Sequence, residues 1–480
     1  MKRSKKISIL LGILALACIA TFAVTRVEER KEKIKNSDEI ILEIPGDDVK
    51  SLSWEYESET LAFHKDDKWL YDGDEAFPVS EDKIKELLSP FASFGVSFII
   101  EDVEDYGQYG LEDPICTIDL ATEEQSFKIQ LGDYSKMDSE RYVSIGDGRV
   151  YLVKNDPLDY FNAKLSDMID NDEVPSFEQA TDIDFSGSEN YSIAYEEDST
   201  ASWCAQDVYF TQKDGGSQPL DTENVKNYLS GITSLNLSDY ASYNVTEEEL
   251  HSYGLDSPEL TVTVNYTEES EEGEKTENTF LLNVGRDPEE KKAAEKTEEA
   301  EPEKETEAAE EAGLTDAEEK ITAYARVGES QIVYKISAEE YKNLMAASFD
   351  DLRHQEIFTA DFADVDRIDI SLEGADYTIT SKKEDEERIW YYQGEEISLT
   401  NFIGSVKALE ADSFTGEEPA QKEEISLTIH LDHENFPEIR IGLYRYDGTN
   451  CLAVVNGKPV ALVSRTSVVD VIEAVHAIIL

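Results

Sequence analysis

Six histidines, four cysteines and 106 Asp and Glu side chains are the groups in this chain with the means to do chemistry. The closest histidine pair is His430 and His433, in the run ISLTIHLDHE. Three residues apart on a strand they face opposite sides, so they share a metal only if the strand ends between them. Asp182-Ile-Asp184-Phe-Ser186-Gly187 opens like a calcium loop, but its twelfth position is Ile193, where a bidentate glutamate is required. Cys18 lies in an apolar N-terminal run, which leaves Cys116, Cys204 and Cys451 far apart and without a CxxC pair. That spacing predicts neither a zinc centre nor a disulfide framework. Cys116 and Cys451 sit in strand-like runs and read as small buried hydrophobes. The sequence holds no GxSxG elbow, GxxxxGK phosphate loop, GxGxxG turn or HExxH helix. It therefore predicts no catalytic centre, no resident metal and no cofactor.

The elements that would position such groups are written three times. The first copy opens with VKSLSWEYESETLAF, passes through KWLY and VSEDKIKELL to YGLEDP (Tyr109 to Pro114), and closes with RVYLVKNDPLDYFNAKL. The second runs from ATDIDFSGSENYSIAY through DTENVKNYLSGITSL and YGLDSP (Tyr253 to Pro258) to QIVYKISAEEYKNLM. The third runs from VDRIDISLEGADYTI through RIWYYQGEEISLTNFIGSVKAL to PVALVSRTSVVDVIEAV, and lacks the Tyr-Gly-Leu phrase. A chain of 480 residues is too long for one core and predicts about three domains at roughly 150 residues each. The copies place modules at 38–172, 173–357 and 358–480.

Within each copy, alternating runs such as Val365 to Ile370 or Leu260, Val262, Val264 and Tyr266 predict half-buried strands. Ile84, Leu87, Leu88 and Phe91 share one helical face, as do Val225, Tyr228, Leu229 and Ile232, and Phe402, Ile403, Val406 and Leu409. Ser80 can cap the first of these helices, although Lys83 stands where a capping box wants an acid. Each module closes on a second helix, such as Ser464 to Ile479. Strand runs with two helices each and tight turns predict an antiparallel α+β fold. In Tyr-Gly-Leu-x-x-Pro, glycine permits the turn, leucine pins it to the core and proline starts the next strand. Residues 286–320 carry 15 acids and 6 bases with few large apolar side chains, and read as a disordered or transiently helical insertion in module two.

The charge of −63, from 43 basic and 106 acidic side chains, excludes nucleic acid as a partner, because that binding begins with phosphate neutralisation. It reads mainly as a solubilising field, with a bias towards cations and basic partners. Residues 1–37 decide the address. Lys2, Arg3, Lys5 and Lys6 precede the apolar stretch 7–24, which is about 27 Å long as a helix, near the thickness of a bilayer core. The basic flank keeps the N-terminus cytoplasmic and the modules outside. Ala15-Leu16-Ala17 offers a signal-peptidase alternative and Cys18 a lipoprotein one; all three readings put the modules outside the cytoplasm.

The N-terminal span, the Trp-x-Tyr-type strands and the phrases Tyr109-Gly110-Leu111 and Tyr253-Gly254-Leu255 together resemble a bacterial family, domain-of-unknown-function family 4340. The resemblance covers essentially everything after residue 38. Members are encoded beside gliding-motility-type ABC transporter components, so the resemblance implies a non-catalytic accessory membrane protein partnering ABC transporter subunits. It brings no catalytic residues with it. A binder of envelope polymer, peptide or cations, independent of a transporter, is the alternative.

Overall fold

The computed structural model describes residues 33–177, 179–213, 215–270, 273–298, 321–384 and 387–480. It is mostly antiparallel β-sheet with a few helices. The predicted membrane segment 7–24 lies outside the described residues. Among the described residues no helix is long and apolar enough to cross a membrane. The chain divides into two compact units. One runs through Asp172 and includes Ser238–Asn244; the other holds Glu173–Leu237 and Val245–Leu480.

The sheet of the first unit runs in the order Lys33–Asn36, Phe98–Glu101, Val150–Val153, Glu140–Ser144, Ser126–Ser135, Cys116–Thr122, Val49–Tyr56, Glu59–Lys65 and Trp69–Tyr71. The opening meander (Val49 to Tyr71) therefore pairs through its first strand with the first strand of a later meander (Cys116 to Val153). The lone strand Phe98–Glu101 crosses to the far side of that later meander. Trp54, Phe63 and Phe161 fill the core: Trp54 stacks on Phe63 with centroids 5.7 Å apart and meets Phe161 edge-on at 5.5 Å. Burying side chains of this size contributes roughly 2–3 kcal/mol each. Tyr240 and Tyr243, from the segment that groups with this unit, pack edge-on to Phe77, and the Tyr243 hydroxyl donates to Asp74 at 2.7 Å.

The second unit repeats this order. Its first sheet runs Gly216–Pro219, Tyr209–Lys213, Asn190–Tyr195, Gln179–Ser186, Leu260–Glu269, Lys275–Arg286, Ala323–Val327 and Val333–Ile336. Its second runs Glu395–Ile397, Glu387–Tyr392, Ala375–Glu384, Val365–Leu372, Glu423–Leu431, Glu438–Arg445, Asn450–Val455, Lys458–Ser464 and Ala411–Phe414. In all three sheets the opening strand breaks register near its third residue: between Val49 and Ser51, Ala180 and Asp182, and Val365 and Arg367. This bulge explains why the buried residues are spaced three then two, as Val49-Leu52-Trp54, Ala180-Ile183-Phe185 and Val365-Ile368-Ile370. Simple alternation does not describe Val365 to Ile370; the extra residue moves Asp366 and Arg367 off the core face.

The helix faces lie as their spacing predicts. Ile84, Leu87, Leu88 and Phe91 are buried, as are Val225, Tyr228, Leu229 and Ile232. Phe402, Val406 and Leu409 are buried, with Ile403 half-buried. The Ser80 hydroxyl accepts from Lys83 N at 3.4 Å, a cap without the reciprocal half. Ser337 and Glu340 make the full capping box of the helix Ala338–Met345. In the acidic stretch Pro288–Glu298 is helical, its first turn held by Asp287, whose Oδ1 accepts from Glu289 N and Glu290 N. Residues 299–320 lie outside the described residues.

The Tyr-Gly-Leu phrase has a partner that its own letters do not reveal. Gly110 and Gly254 adopt φ of 70° and 67° at the ends of short 3-10 turns, and Leu111 and Leu255 are buried behind them. Each turn presses on a strand glycine. A Cβ on Gly132 would stand 2.1 Å from Tyr109 O, and one on Gly285 would stand 2.8 Å from both Tyr253 O and Gly254 O. The phrase tyrosines pack on tyrosines of the next strand, Tyr109 on Tyr142 at 4.9 Å and Tyr253 on Tyr324 at 5.0 Å. The third sheet keeps a strand glycine, Gly442, but there the Tyr444 ring and the Glu423 carboxylate occupy the space.

Candidate functional site

The densest gathering of reactive side chains among the described residues lies in the second unit, at the joint between its two sheets. It begins in the connection from Asn190–Tyr195 to Tyr209–Lys213. There Ser202 Oγ donates to Asp207 Oδ2 at 2.6 Å and accepts from Cys204 N at 3.0 Å, closing a tight turn. Trp203 anchors the turn by donating from Nε1 to Thr359 Oγ1 at 2.8 Å and meeting Phe436 edge-on at 5.5 Å. Asp221 caps the helix Thr222–Thr233 through Oδ1, which accepts from Glu223 N at 2.8 Å. That leaves its second oxygen turned towards the joint. Thr222 Oγ1 ties helix to turn, accepting from Val208 N and donating to Gln206 O.

The third contribution is the connection leading into the second sheet. After the helix Phe349–Leu352, Arg353 lies over the Phe414 ring at 3.9 Å and the Phe349 ring at 5.0 Å. Backbone bonds from Asp221 N to Leu352 O and from Ala411 N to Gln355 O fix the segment between them. His354 is thereby held between acids on both sides of its ring. Nε2 is 2.8 Å from Asp207 Oδ1, while Nδ1 is 3.6 Å from Asp221 Oδ2 and 3.9 Å from Glu356 Oε2. The Asp207 side chain is 1% exposed and that of His354 18%. Burial alone would lower the His354 pKa, but the Asp207 hydrogen bond and the charges of Asp207, Asp221 and Glu356 outweigh it and hold the ring above its ordinary value.

Cys204 completes the cluster. Its Sγ is 3.2 Å from Gln206 Oε1, and burial with the nearby Asp207 charge pushes the thiol up to about 11. Such a thiol is un-ionised near neutrality and is no nucleophile. Two overlapping triads have donor atoms within 4.8 Å of one another: Cys204, Asp207 and His354, and Asp221, His354 and Glu356. Ion pairing and metal ligation are what these groups can do. Beside the cluster, sharing Gln206 and Thr222, lies a cleft of about 440 Å³ walled by Tyr195 and Tyr209, with Lys226, Lys275 and Glu269 at its rim.

The residues singled out in the sequence lie elsewhere. The strand carrying His430 does end before His433, at Leu431, yet the pair takes different partners. His430 Nε2 is 2.9 Å from Asp369 Oδ2 and 2.8 Å from Arg367 Nη2, whereas His433 Nδ1 accepts from Asn435 N and Phe436 N. Asp182 and Asp184 belong to the strand Gln179–Ser186, paired on both sides, so the calcium-like spelling is a strand and not a loop. Cys116 and Cys451 are fully buried in strands. The joint cluster escapes a sequence search because Asp207 and His354 are 147 residues apart. The local signal is the spacing Cys204-x-x-Asp207.

A strand-rich α+β protein, with one cluster of thiol, imidazole and carboxylates at the joint between two of its sheets, is what these observations define. The family model described as "Domain of unknown function (DUF4340)" matches residues 69–258 and 213–428, most of the chain, and the chain belongs to that family. The two matches begin at comparable places, Trp69 in one copy and Lys213 in the next, and each runs on into the following sheet. No curated protein and no solved structure matches the chain.

Proposed function

We propose that this protein is a membrane-tethered, extracytoplasmic accessory component of an ABC transporter complex that acts by contact and not by catalysis. In this reading its finer architecture is an N-terminal membrane helix followed by three modules of antiparallel strands with two helices each. The observation that carries it is the recurrence of one strand order, with the same register break in each opening strand. Repetition of a complete module multiplies surface while creating no new reaction centre. The basic flank and apolar stretch 7–24 support the tether, and the −63 charge supports an exposed, soluble surface. Affinity purification of the full chain from native membranes in mild detergent tests this. Transporter permease or ATPase subunits co-purify if the proposal holds, and their consistent absence ends it.

The 440 Å³ cleft favours a second reading, an envelope-polymer or peptide binder independent of a transporter. Its aromatic wall, with Lys226, Lys275 and Glu269 at the rim, suits a hydroxyl-bearing ligand. Pull-down by isolated cell wall, lost in Lys226→Ala/Lys275→Ala, is its signature.

A further inference from the structure

We propose that Cys204, Asp207 and His354 form a binding site for a single divalent metal ion of the zinc class, at the joint between the two sheets of the second unit. The donor set comes first. A thiol, a carboxylate and an imidazole are the ligand types that a borderline-soft, tetrahedral ion selects, and three protein ligands leave a fourth position for water. Their donor atoms lie within 4.8 Å of one another. In a tetrahedral zinc centre such atoms stand about 3.4–3.6 Å apart, so Asp207 and His354 would open from 2.8 Å and Cys204, within 4.8 Å of the others, would close by about 1.2 Å at most.

The surroundings are those a metal site needs. A metal-bound histidine presents its other nitrogen to a carboxylate, which fixes the ring and raises its basicity. His354 Nδ1 faces Asp221 Oδ2 at 3.6 Å, and Asp221 is itself oriented by capping a helix. A ligating carboxylate is in turn hydrogen-bonded, and Ser202 Oγ holds Asp207 Oδ2 at 2.6 Å. Charge balances as well. A thiolate and a carboxylate supply two negative charges beneath a neutral imidazole, and a divalent cation cancels them in a buried place. The thiol proton, and any proton on His354 Nε2, leave to solvent as the ion enters. Asp221 and Glu356, with side chains 21% and 42% exposed, line the approach.

Such an ion would pin the turn at Cys204 and Asp207 to the connection at His354, and so tie one sheet to the next. The test uses the full-length, detergent-solubilised chain, reduced and treated with chelator, then titrated with Co²⁺ as a spectroscopic substitute. The expected result is one Co²⁺ per chain with a sulfur-to-cobalt charge-transfer band that Zn²⁺ abolishes. Cys204→Ser should remove the band, while Cys116→Ser and Cys451→Ser leave it intact. Asp221→Asn keeps the helix cap and should weaken binding about tenfold to a hundredfold; His354→Gln should weaken it at least as much. Weak binding of many ions without a sulfur band means adventitious association with the acidic surface only, and overturns the proposal. A band that survives Cys204→Ser, or affinity unchanged in both Asp221→Asn and His354→Gln, overturns it too.

Discussion

Replacing Gly254 by alanine separates two costs that the structure makes distinct. Gly254 has φ of 67°, where an L side chain costs about 1–2 kcal/mol. Its new Cβ would also stand 2.4 Å from Arg286 O, a backbone atom that cannot rotate away. Relieving that overlap means moving the Tyr-Gly-Leu turn off its strand, at a further cost of about 1–2 kcal/mol, as in other overpacked sites. The total of about 2–4 kcal/mol multiplies local opening roughly 30- to 900-fold. Gly374→Ala is the control for conformation alone, since φ there is 83° and a Cβ meets nothing within 4 Å. Gly285→Ala is the control for contact alone, with ordinary φ and two carbonyl oxygens 2.8 Å from the new atom. A chain with several cores does not unfold in one step, so the assay is hydrogen exchange resolved to peptides covering Leu260–Arg286, with Glu423–Arg445 as internal reference. If Gly254→Ala loosens those peptides no more than Gly374→Ala loosens its own strands, the docking of turn on strand is not what holds the phrase.

Other outcomes follow from single features. Arg141 and Asp156 pair at 2.6 Å with side chains 8% and 11% exposed, so Asp156→Ala strands a buried guanidinium; exchange protection at Glu140–Ser144 should fall by about 3–5 kcal/mol, and unchanged protection refutes the pairing. His354 is held above its ordinary pKa of 6.5, so its charged form stabilises the metal-free joint fully below 6.5 and less as pH rises through the higher folded value. Protection across residues 352–360, corrected for intrinsic exchange, should therefore drop on going alkaline and become flat in His354→Gln; a rise with pH contradicts the arrangement. Burial pushes the thiols of Cys116, Cys204 and Cys451 up to about 12, 11 and 11, so in the metal-free native chain all three should alkylate far more slowly than in denaturant. Rapid native labelling at any of their peptides would be inconsistent with burial. Met137 is 91% exposed and Met168 1%, so mild peroxide should oxidise Met137 first, as peptide mass spectrometry can read.

What could be read in the sequence was whatever repeats at short range. The helix faces from Ile84 to Phe91 and Val225 to Ile232 follow from three- and four-residue spacing, because one stripe must bury itself. The Tyr-Gly-Leu turn and the Ser80 half-cap are likewise local chemistry. What was illegible depends on distant pairing. Asp366 occupies an extra place only because Val365 and Arg367 break register with a strand beginning near residue 423. Gly132 and Gly285 are unremarkable letters until Tyr109 and Tyr253 press on them from another part of the module. The cluster around His354 needs a turn, a helix cap and a connecting segment to converge, and no spacing rule links Cys204 to His354. Metal-ligand searches look for paired cysteines or histidines; this set has one of each.

The outermost strands on one side of the sheets are short: Trp69–Tyr71, Gly216–Pro219 and Glu395–Ile397. Sequences so alike, strung on a single chain, meet at high local concentration while they fold, and an open strand of one copy is a tempting template for another. A rim three or four residues long offers few free backbone groups, Pro219 lacks an N–H altogether, and Glu395 with Glu396 repels a like-charged newcomer. Brevity and charge at the border thus let the copies stay alike within while remaining strangers to one another, so that a gene can duplicate a fold without teaching its products to fuse.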